Sequence, residues 1–326
     1  MRIDTVSMKA KPSVKPIKIG ISSCLMGEKV RFDSGHKKNA YIMGVLSDYF
    51  DFTAFCPEVE IGLGIPREPI RLVHMQGEVR CRGSKNESLD VTDELYAIAE
   101  KQRQWHEGLC GYILKKDSPS CGMARVKVYN NDMPKREGVG LYAQTLMTNF
   151  PFLPVEEEGR LEDAQLRENF IQRVYVYSRW KEIEGQGLSL TNLQAFHAQH
   201  KYIFMSHHQT KAKELGALLV GTHQTDLRQL ADQYLELMTA ILRIIATKKN
   251  HVNTLQHIQG YLKKQLHADD KAELVSLIDD YRQGLLPLIV PITLLRHHFR
   301  KHPNAYITES YYMKPHPGEL MLLNTI

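Results

Sequence analysis

Hydrophobic and polar positions alternate over short distances in the first half of the chain. Short runs rich in β-branched and aromatic residues, each closed by turn residues, predict strands. These runs lie at residues 17–24, 50–56, 112–115, 126–129 and 152–155. A longer segment at 91–107 carries Leu95, Ile98 and Ala99 on one face and predicts a helix. Strands interleaved with helices favour an α/β domain with a mostly parallel sheet and flanking helices.

From about residue 159 onward the strand signals end, and apolar residues recur at helical spacing. Helices are predicted at residues 160–181, 225–245, 255–266 and 271–286, with at least one more between 188 and 223. Pro287 and Pro291 are expected to break the segment that follows. Because residues 156–159 form a short polar joint, the pattern predicts an α/β domain over 1–158 and an all-α domain over 159–326.

The composition is that of a globular protein. Of the 326 residues, 43% are apolar and 24% are charged. The longest apolar stretch, residues 284–295, is too short to cross a membrane and is interrupted by proline. The N-terminus, with Lys9, Lys11 and Lys15, lacks the apolar core of a secretory signal. We therefore expect a cytoplasmic protein without a membrane partner.

The net charge is modestly positive, at +5, and most of the excess lies in the second half. Basic clusters occur at residues 211 and 213, 248 and 249, 263 and 264, and 296–301, with histidines at 207, 208, 297 and 298. Residues 80, 82 and 85 form another basic patch. This distribution is compatible with a polyanionic partner, although solvated helix faces explain the charge equally well.

Three of the five cysteines occupy the same kind of position. Cys24, Cys56 and Cys121 each follow a predicted strand and stand beside Gly, Pro or Ser. The carboxyl ends of strands in an open α/β sheet gather at one edge, so these cysteines are able to converge into a metal site. The alternative is that they are small buried hydrophobic residues. Cys81 and Cys110 lack this setting and are expected to be structural.

The spacing of the cysteines bears on the kind of metal. A structural zinc site usually has four protein ligands with closely spaced cysteine pairs, which this sequence lacks. An iron–sulfur cluster accepts dispersed cysteines, and a four-iron cluster held by three of them leaves one iron without a protein ligand. For His197 and His200, three apart on a predicted helix, helix packing or RNA contact is favoured over metal binding.

Candidate acid–base groups stand close to these cysteines in the sequence. They are Glu58, Asp33, Ser118, Ser120 and Ser23. A hydrolytic reaction needs a carboxylate that takes a proton from water and hydroxyl groups that hold the reacting atom. Each residue alone is more typical of a turn or a cap, and its position beside a cysteine is what makes it a candidate.

Several separated motifs resemble one known family. Residues 22–27 (SSCLMG), 30–33 (VRFD), 56–58 (CPE), 62–67 (GLGIPR), 90–92 (DVT) and 118–122 (SPSCG) occur in the order found in the thiouracil desulfidase (TudS) family. The resemblance covers roughly residues 17–157. The remainder, including residues 196–201 (FHAQHK) and 311–320, resembles the helical YbgA-like domain that is found fused to it.

The resemblance implies a [4Fe-4S] cluster held by Cys24, Cys56 and Cys121, with one iron open to the sulfur of the substrate. It also implies hydrolytic, non-redox removal of sulfur from 4-thiouridine in tRNA, giving uridine and hydrogen sulfide. We expect Glu58 or Asp33 to act as the general base and the three candidate serines to orient the reacting groups. A base in folded RNA must be flipped out, so the helical domain is expected to contact the tRNA phosphates. No DNA partner is expected.

Two other functions stay open from the sequence. The protein could be a desulfidase of free thiouracil or thio-nucleotides, with the helical region serving as a dimer interface or a lid. It could also be a non-catalytic iron–sulfur protein that binds RNA or acts as a sensor. Release of sulfide from thiolated tRNA, from the free base or from neither distinguishes the three.

Overall fold

The computed structural model describes residues 16–130, 133–220, 226–320 and 322–323. Lys9, Lys11 and Lys15, on which the expectation about the N-terminus rests, lie outside these residues, as does Thr225 at the start of a predicted helix. No helix in the described part of the chain is both long enough and apolar enough to cross a membrane.

Eight strands lie in the first half, within the described residues. They are β1 Ile17–Ser22, β2 Phe50–Phe55, β3 Ile70–Met75, β4 Glu78–Gly83, β5 Gly111–Leu114, β6 Val126–Asn130, β7 Met133–Gly138 and β8 Val155–Glu157. One sheet has the order β2-β1-β5-β8, and every neighbouring pair in it is parallel. This confirms the parallel α/β architecture. The strand predicted at 152–155 is wrong in position, because β8 begins only at Val155.

The central strands β1 and β5 are buried on both faces except at Lys18, which explains their nearly continuous apolar sequence. Ile19, Ile21 and Ile113 are fully buried. In the register of the sheet, Ser22 at the end of β1 lies beside Phe55 at the end of β2, and Ile21 lies beside Ile113 in β5. The carboxyl ends of these three strands therefore share one edge.

A second sheet, with the order β4-β3-β6-β7, was not predicted apart from its strand at 126–129. β3 and β6 are parallel, whereas β3–β4 and β6–β7 are antiparallel. The β3–β4 hairpin turns at Gln76 and Gly77, both with positive φ (53° and 89°). In β7 every residue except Gly138 is exposed. Such a strand lacks the apolar pattern from which strands are recognised.

Five helices complete the described part of the first half. They are α1 Ala40–Gly44, α2 Pro57–Glu60, α3 Thr92–Lys101, α4 Arg103–Glu107 and α5 Leu141–Asn149. The single helix predicted at 91–107 is interrupted at Gln102, so it forms the separate helices α3 and α4. Leu95, Ile98 and Ala99 are buried, as their shared face predicted.

The second half is helical throughout its described residues, which confirms the all-α prediction. The helices are α6 Ala164–Gly185, α7 Leu190–His207, α8 Gln209–Ala217, α9 Leu227–Leu242, α10 Lys248–Gly260, α11 Ala268–Gln283, α12 Ile289–Lys301 and α13 Ala305–Thr308. The expectation that Pro291 breaks its segment is wrong, because Pro291 is the third residue of α12. Backbone N–H groups in a first helical turn have no intrahelical acceptor, so proline is tolerated there.

Helix α6 contributes to the hydrophobic cores of both halves. Its first part packs Phe170, Ile171 and Val174 against the parallel sheet. Further along, Trp180 packs in the helical core, where its ring stacks on that of Tyr234 at a centroid distance of 5.7 Å. The two halves are therefore joined by buried apolar contacts and not only by the chain.

Candidate active site

A cavity of about 340 Å³ lies at the carboxyl ends of β1, β2 and β5, and Cys24, Cys56 and Cys121 all line it. Cys24 lies in a short 3-10 turn directly after β1. Cys56 directly follows β2 and caps α2, and Cys121 belongs to the loop after β5. The parallel topology thus brings together three cysteines that are distant in the sequence.

Burial raises the pKa of all three thiols. For Cys24, burial and then the neighbouring Cys56 raise the pKa to about 11. Burial is also the main cause of the raised pKa at Cys56 and at Cys121, and Cys56 adds to the rise at Cys121. Three adjacent thiols of this kind favour the thiolate form only when a compensating cation is bound.

A chain of hydrogen bonds connects the predicted acid–base groups. The Ser120 hydroxyl donates to Glu58 Oε1 at 2.7 Å and lies 3.6 Å from the sulfur of Cys121. Ser118 Oγ lies 2.9 Å from Ser120 Oγ and accepts a hydrogen bond from the Cys121 N–H at 3.1 Å. Since Ser120 donates to Glu58, Ser118 donates in turn to Ser120. Protons can therefore move along this chain towards the Glu58 carboxylate.

Arg67 fixes the other oxygen of the Glu58 carboxylate. Its Nη2 and Nε donate to Glu58 Oε2 at 2.6 and 3.0 Å, and its Nη1 donates to the carbonyls of Val30 and Gly64 at 2.8 and 3.0 Å. The Arg67 side chain is only 4% exposed. This pairing was not predicted, although Arg67 closes the motif at 62–67, because the contact depends on how the intervening turn folds.

A second ion pair at the cavity joins Lys115 and Glu158. Glu158 also accepts a hydrogen bond from the Lys116 N–H at 2.7 Å, and Ser22 Oγ accepts one from the Lys115 N–H at 3.0 Å. Lys115 lowers the pKa of Cys24, although burial outweighs this effect. The strand ends that carry the cysteines are thus tied together by side chains that the sequence did not single out.

Positive side chains surround the same cavity. Arg31, Lys37 and Lys116 line it together with Phe32, and the Arg31 guanidinium lies 5.3 Å from the centre of the Phe32 ring. Phe32 is 38% exposed. A cavity with these side chains attracts a ligand that carries an anionic group and a planar ring.

The predicted residues do not all meet at this cavity. Ser23, Glu58, Ser118 and Ser120 line it together with the cysteines. Asp33 is not among the lining residues, and its exposed carboxylate accepts a hydrogen bond from the Gly35 N–H at 3.0 Å. That contact gives Asp33 the role of a turn residue.

The other two cysteines lie elsewhere. Cys81 is fully buried in β4, and burial raises the pKa of its thiol. Cys110 packs at the edge of the core around the parallel sheet, next to β5. Neither lines the cavity.

Several predicted basic or metal-binding side chains are buried in the helical half. His200 directs Nδ1 at the Phe196 carbonyl at 2.7 Å, which favours helix packing over metal binding. His207 and His298, which the sequence placed beside surface lysines, are almost completely buried. Burial lowers the pKa of His207 to about 4, so it contributes no surface charge at neutral pH.

The donors at the cavity suit an iron–sulfur cluster in their chemistry, because cysteine thiolates are its usual protein ligands. In the described ranges of the chain, no group of three or more His, Cys, Asp or Glu side chains is arranged to hold a metal ion. A four-iron cluster binds each cysteine through a different iron, so its ligands stand further apart than those of one ion. The buried thiols of Cys24 and Cys121 and the half-buried thiol of Cys56 fit such a cluster in donor type and number.

Comparison with known proteins gives two separate matches along the chain. Residues 19–158 match the family model described as 2-thiouracil desulfurase. The uncharacterized protein YbbK of Bacillus subtilis (strain 168) is 31% identical over 149 residues, which cover 44% of this chain and 97% of that protein. The N-terminal half belongs to the 2-thiouracil desulfurase family. The desulfurase match includes every cysteine that lines the cavity.

A solved relative of this desulfurase half is described as the [4Fe-4S]-dependent thiouracil desulfidase TudS. It is 31% identical and covers 45% of this chain and 93% of its own, with a TM-score of 0.37. Residues 201–317 match a second model, described as a protein of unknown function (DUF1722). The uncharacterized protein YbgA of Escherichia coli (strain K12) is 27% identical over 151 residues, covering 46% of this chain and 89% of that protein. The expected fusion of a desulfurase half to a YbgA-like half is confirmed.

Proposed function

We propose that this protein is a [4Fe-4S]-dependent desulfidase that converts 4-thiouridine in tRNA to uridine. The observation that carries the proposal is the single cavity lined by Cys24, Cys56 and Cys121 and by the bonded pair Ser120 and Glu58. Membership of the desulfurase family supports the reaction, and the description of the solved relative supports the cofactor. In this proposal the three cysteines hold the cluster.

The bound cluster supplies an iron with affinity for soft sulfur. The side chains of the chain supply the proton chemistry of a hydrolysis. Water adds its oxygen to the ring carbon that bears sulfur, and the C–S bond breaks, so the net change is C=S plus H₂O to C=O plus H₂S. No electrons are exchanged in this balance.

Glu58 is the general base of the proposed reaction. Its Oε1 already accepts the Ser120 hydroxyl, so a proton taken from water beside Ser120 or Ser118 reaches the carboxylate through hydrogen bonds that exist in the structure. Arg67 fixes the direction of the carboxylate through two donors. Asp33 is exposed and does not line the cavity, so Glu58 is the better candidate.

The charge at the entrance supports a nucleotide substrate over a free base. The cationic side chains Arg31, Lys37 and Lys116 outnumber the carboxylates of Glu58 and Asp117 that also line the cavity, so a substrate phosphate is attracted there. The basic excess of the second half extends this preference to a polyanion, and tRNA is the partner that we propose. The thiolated nucleotide must leave its stack to enter the cavity, at a cost of a few kcal/mol that phosphate contacts can offset.

The test is to reconstitute the full chain anaerobically with iron and sulfide and to add thiolated tRNA or free 4-thiouracil. Loss of thione absorbance and release of sulfide are expected with the tRNA. Conversion of the free base alone supports the alternative substrate, and iron binding without sulfide release from either supports the non-catalytic alternative.

Two substitutions separate the proton relay from general damage to the protein. Ser120→Ala and Glu58→Gln are each expected to lower the rate about 100-fold or more, the usual scale of general acid–base catalysis. Ser47→Ala is the matched control, because Ser47 is an exposed residue whose hydroxyl bonds only the carbonyl of Met43 one turn earlier. Equal rates for Ser120→Ala and Ser47→Ala would contradict the assignment.

A further inference from the structure

A groove of about 740 Å³ in the helical half shares no residue with the cysteine cavity. It runs along α7 between α8 on one side and α10, Tyr261 and Tyr306 on the other. Lys201, Lys213 and His257 line it, and no aspartate or glutamate does so among the described residues. A groove with cations and no carboxylate attracts an anion.

One wall of the groove carries a buried imidazole that is held by a hydrogen bond. His197 Nδ1 lies 3.0 Å from the Tyr234 hydroxyl. Burial raises the pKa of Tyr234 and lowers that of His197 to about 4, so both groups are neutral at pH 7. Gly216 faces His197 Nε2, and a Cβ at Gly216 would stand only 3.0 Å from that nitrogen.

Tyr261 and Tyr306 give the groove an aromatic surface. The rings of Tyr261 and Tyr306 are stacked, with centroids 6.0 Å apart and planes 20° from parallel. The Tyr202 hydroxyl donates to the Tyr261 hydroxyl at 3.2 Å and so fixes that ring. Tyr261 is 38% exposed, which leaves ring surface available to a ligand. The base of a nucleotide stacks favourably on such a ring.

We propose that this groove is a nucleotide-binding site in the helical half. The base stacks on the Tyr261 ring, and the phosphate lies against Lys201 and Lys213. From His197 to Met205, both of which line the groove, α7 rises about 12 Å, which suits an elongated ligand better than a compact anion. The nucleotide is either free or part of a single strand, and the site acts independently of the desulfidase reaction.

The test is calorimetric titration of the full chain with four probes: uridine 5′-monophosphate, uridine, inorganic phosphate and a six-residue oligouridylate. The monophosphate is expected to bind at least tenfold more tightly than uridine or phosphate. Lys201→Met and Tyr261→Leu are each expected to weaken binding about tenfold, the first because it removes a cation from the phosphate and the second because it removes the stacking ring. Lys101→Met is the matched control, since Lys101 is exposed at the end of α3 and does not line the groove.

The probes also distinguish the two sources of the nucleotide. Binding of the oligouridylate alone, with the same loss in Lys201→Met, supports a site for a strand. The proposal is overturned if neither the monophosphate nor the oligouridylate binds. It is also overturned if binding occurs but neither variant weakens it. Cys121→Ala keeps nucleotide binding if the groove is independent of the cluster, so failure of the desulfidase assay and failure of this site are separate results.

Discussion

Gly140 offers a test of the candidate site by the addition of one methyl group. It precedes α5 with φ −62° and ψ 136°, so alanine meets no backbone strain there. Its N–H donates to the Gly122 carbonyl at 2.8 Å. A Cβ at Gly140 would lie 2.5 Å from the carbonyl carbon of Ser120 and 2.8 Å from the nitrogen of Cys121. An ordinary contact begins near 3.4 Å, so the loop must move by about 0.9 Å.

Gly140→Ala is therefore expected to act on both stability and chemistry. Inserting a methyl group into packed backbone costs about 1–3 kcal/mol. A displacement of Ser120 and Cys121 by nearly 1 Å is expected to lower the desulfidase rate about 100-fold. The assays are urea denaturation for the free energy of unfolding, and iron content and sulfide release after reconstitution for the site.

The matched control for this substitution is Gly44→Ala. A Cβ at Gly44, the last residue of α1, meets no atom within 4 Å, so both measurements should stay near the wild-type values. If Gly140→Ala retained full iron content and a wild-type rate, the close approach of α5 to the Ser120–Cys121 loop would not govern the site, and the reasoning would be refuted.

Three other predictions concern the same half. Cys121→Ala should lose iron and brown colour while Cys81→Ala keeps both, as measured by iron analysis and absorbance. Arg67→Met should lower the free energy of unfolding by about 3 kcal/mol in urea denaturation, because it leaves the half-buried Glu58 carboxylate without its ion-pair partner, and adding Glu58→Gln should restore part of the loss. Burial lowers the pKa of His106 to about 4, against about 6.5 when unfolded, so stability falls as pH drops below 6.5. Between pH 7 and 5 the part of the loss that His106→Gln removes should be about 2 kcal/mol, and a slope unchanged in His106→Gln would contradict the prediction.

The convergence of the cysteines could be predicted because it follows from topology. A parallel sheet collects the carboxyl ends of its strands, and Cys24, Cys56 and Cys121 were recognisable as residues that follow strands. Helical periodicity likewise identified the second half, since apolar residues such as Leu230, Tyr234 and Met238 lie on one buried face of α9.

The other features of the site and the second sheet depended on tertiary contacts that the local sequence pattern does not encode. Asp33 is close to Cys24 in the sequence, yet its side chain faces solvent, because nearness along a loop does not fix direction. Arg67 meets Glu58 only through the turn between them. The second sheet escaped prediction because strands such as β7 are exposed and polar, so they carry little hydrophobic signal.

Helix α6 belongs to two hydrophobic cores, and this affects how the molecule unfolds. Phe170, Ile171 and Val174 are fully buried against the sheet, and each gives about 1.5–3 kcal/mol by leaving water. Trp180 on the same helix is equally necessary to the helical core. Unfolding of one half removes part of the hydrophobic core of the other. The two regions that match different families should therefore unfold in one cooperative step.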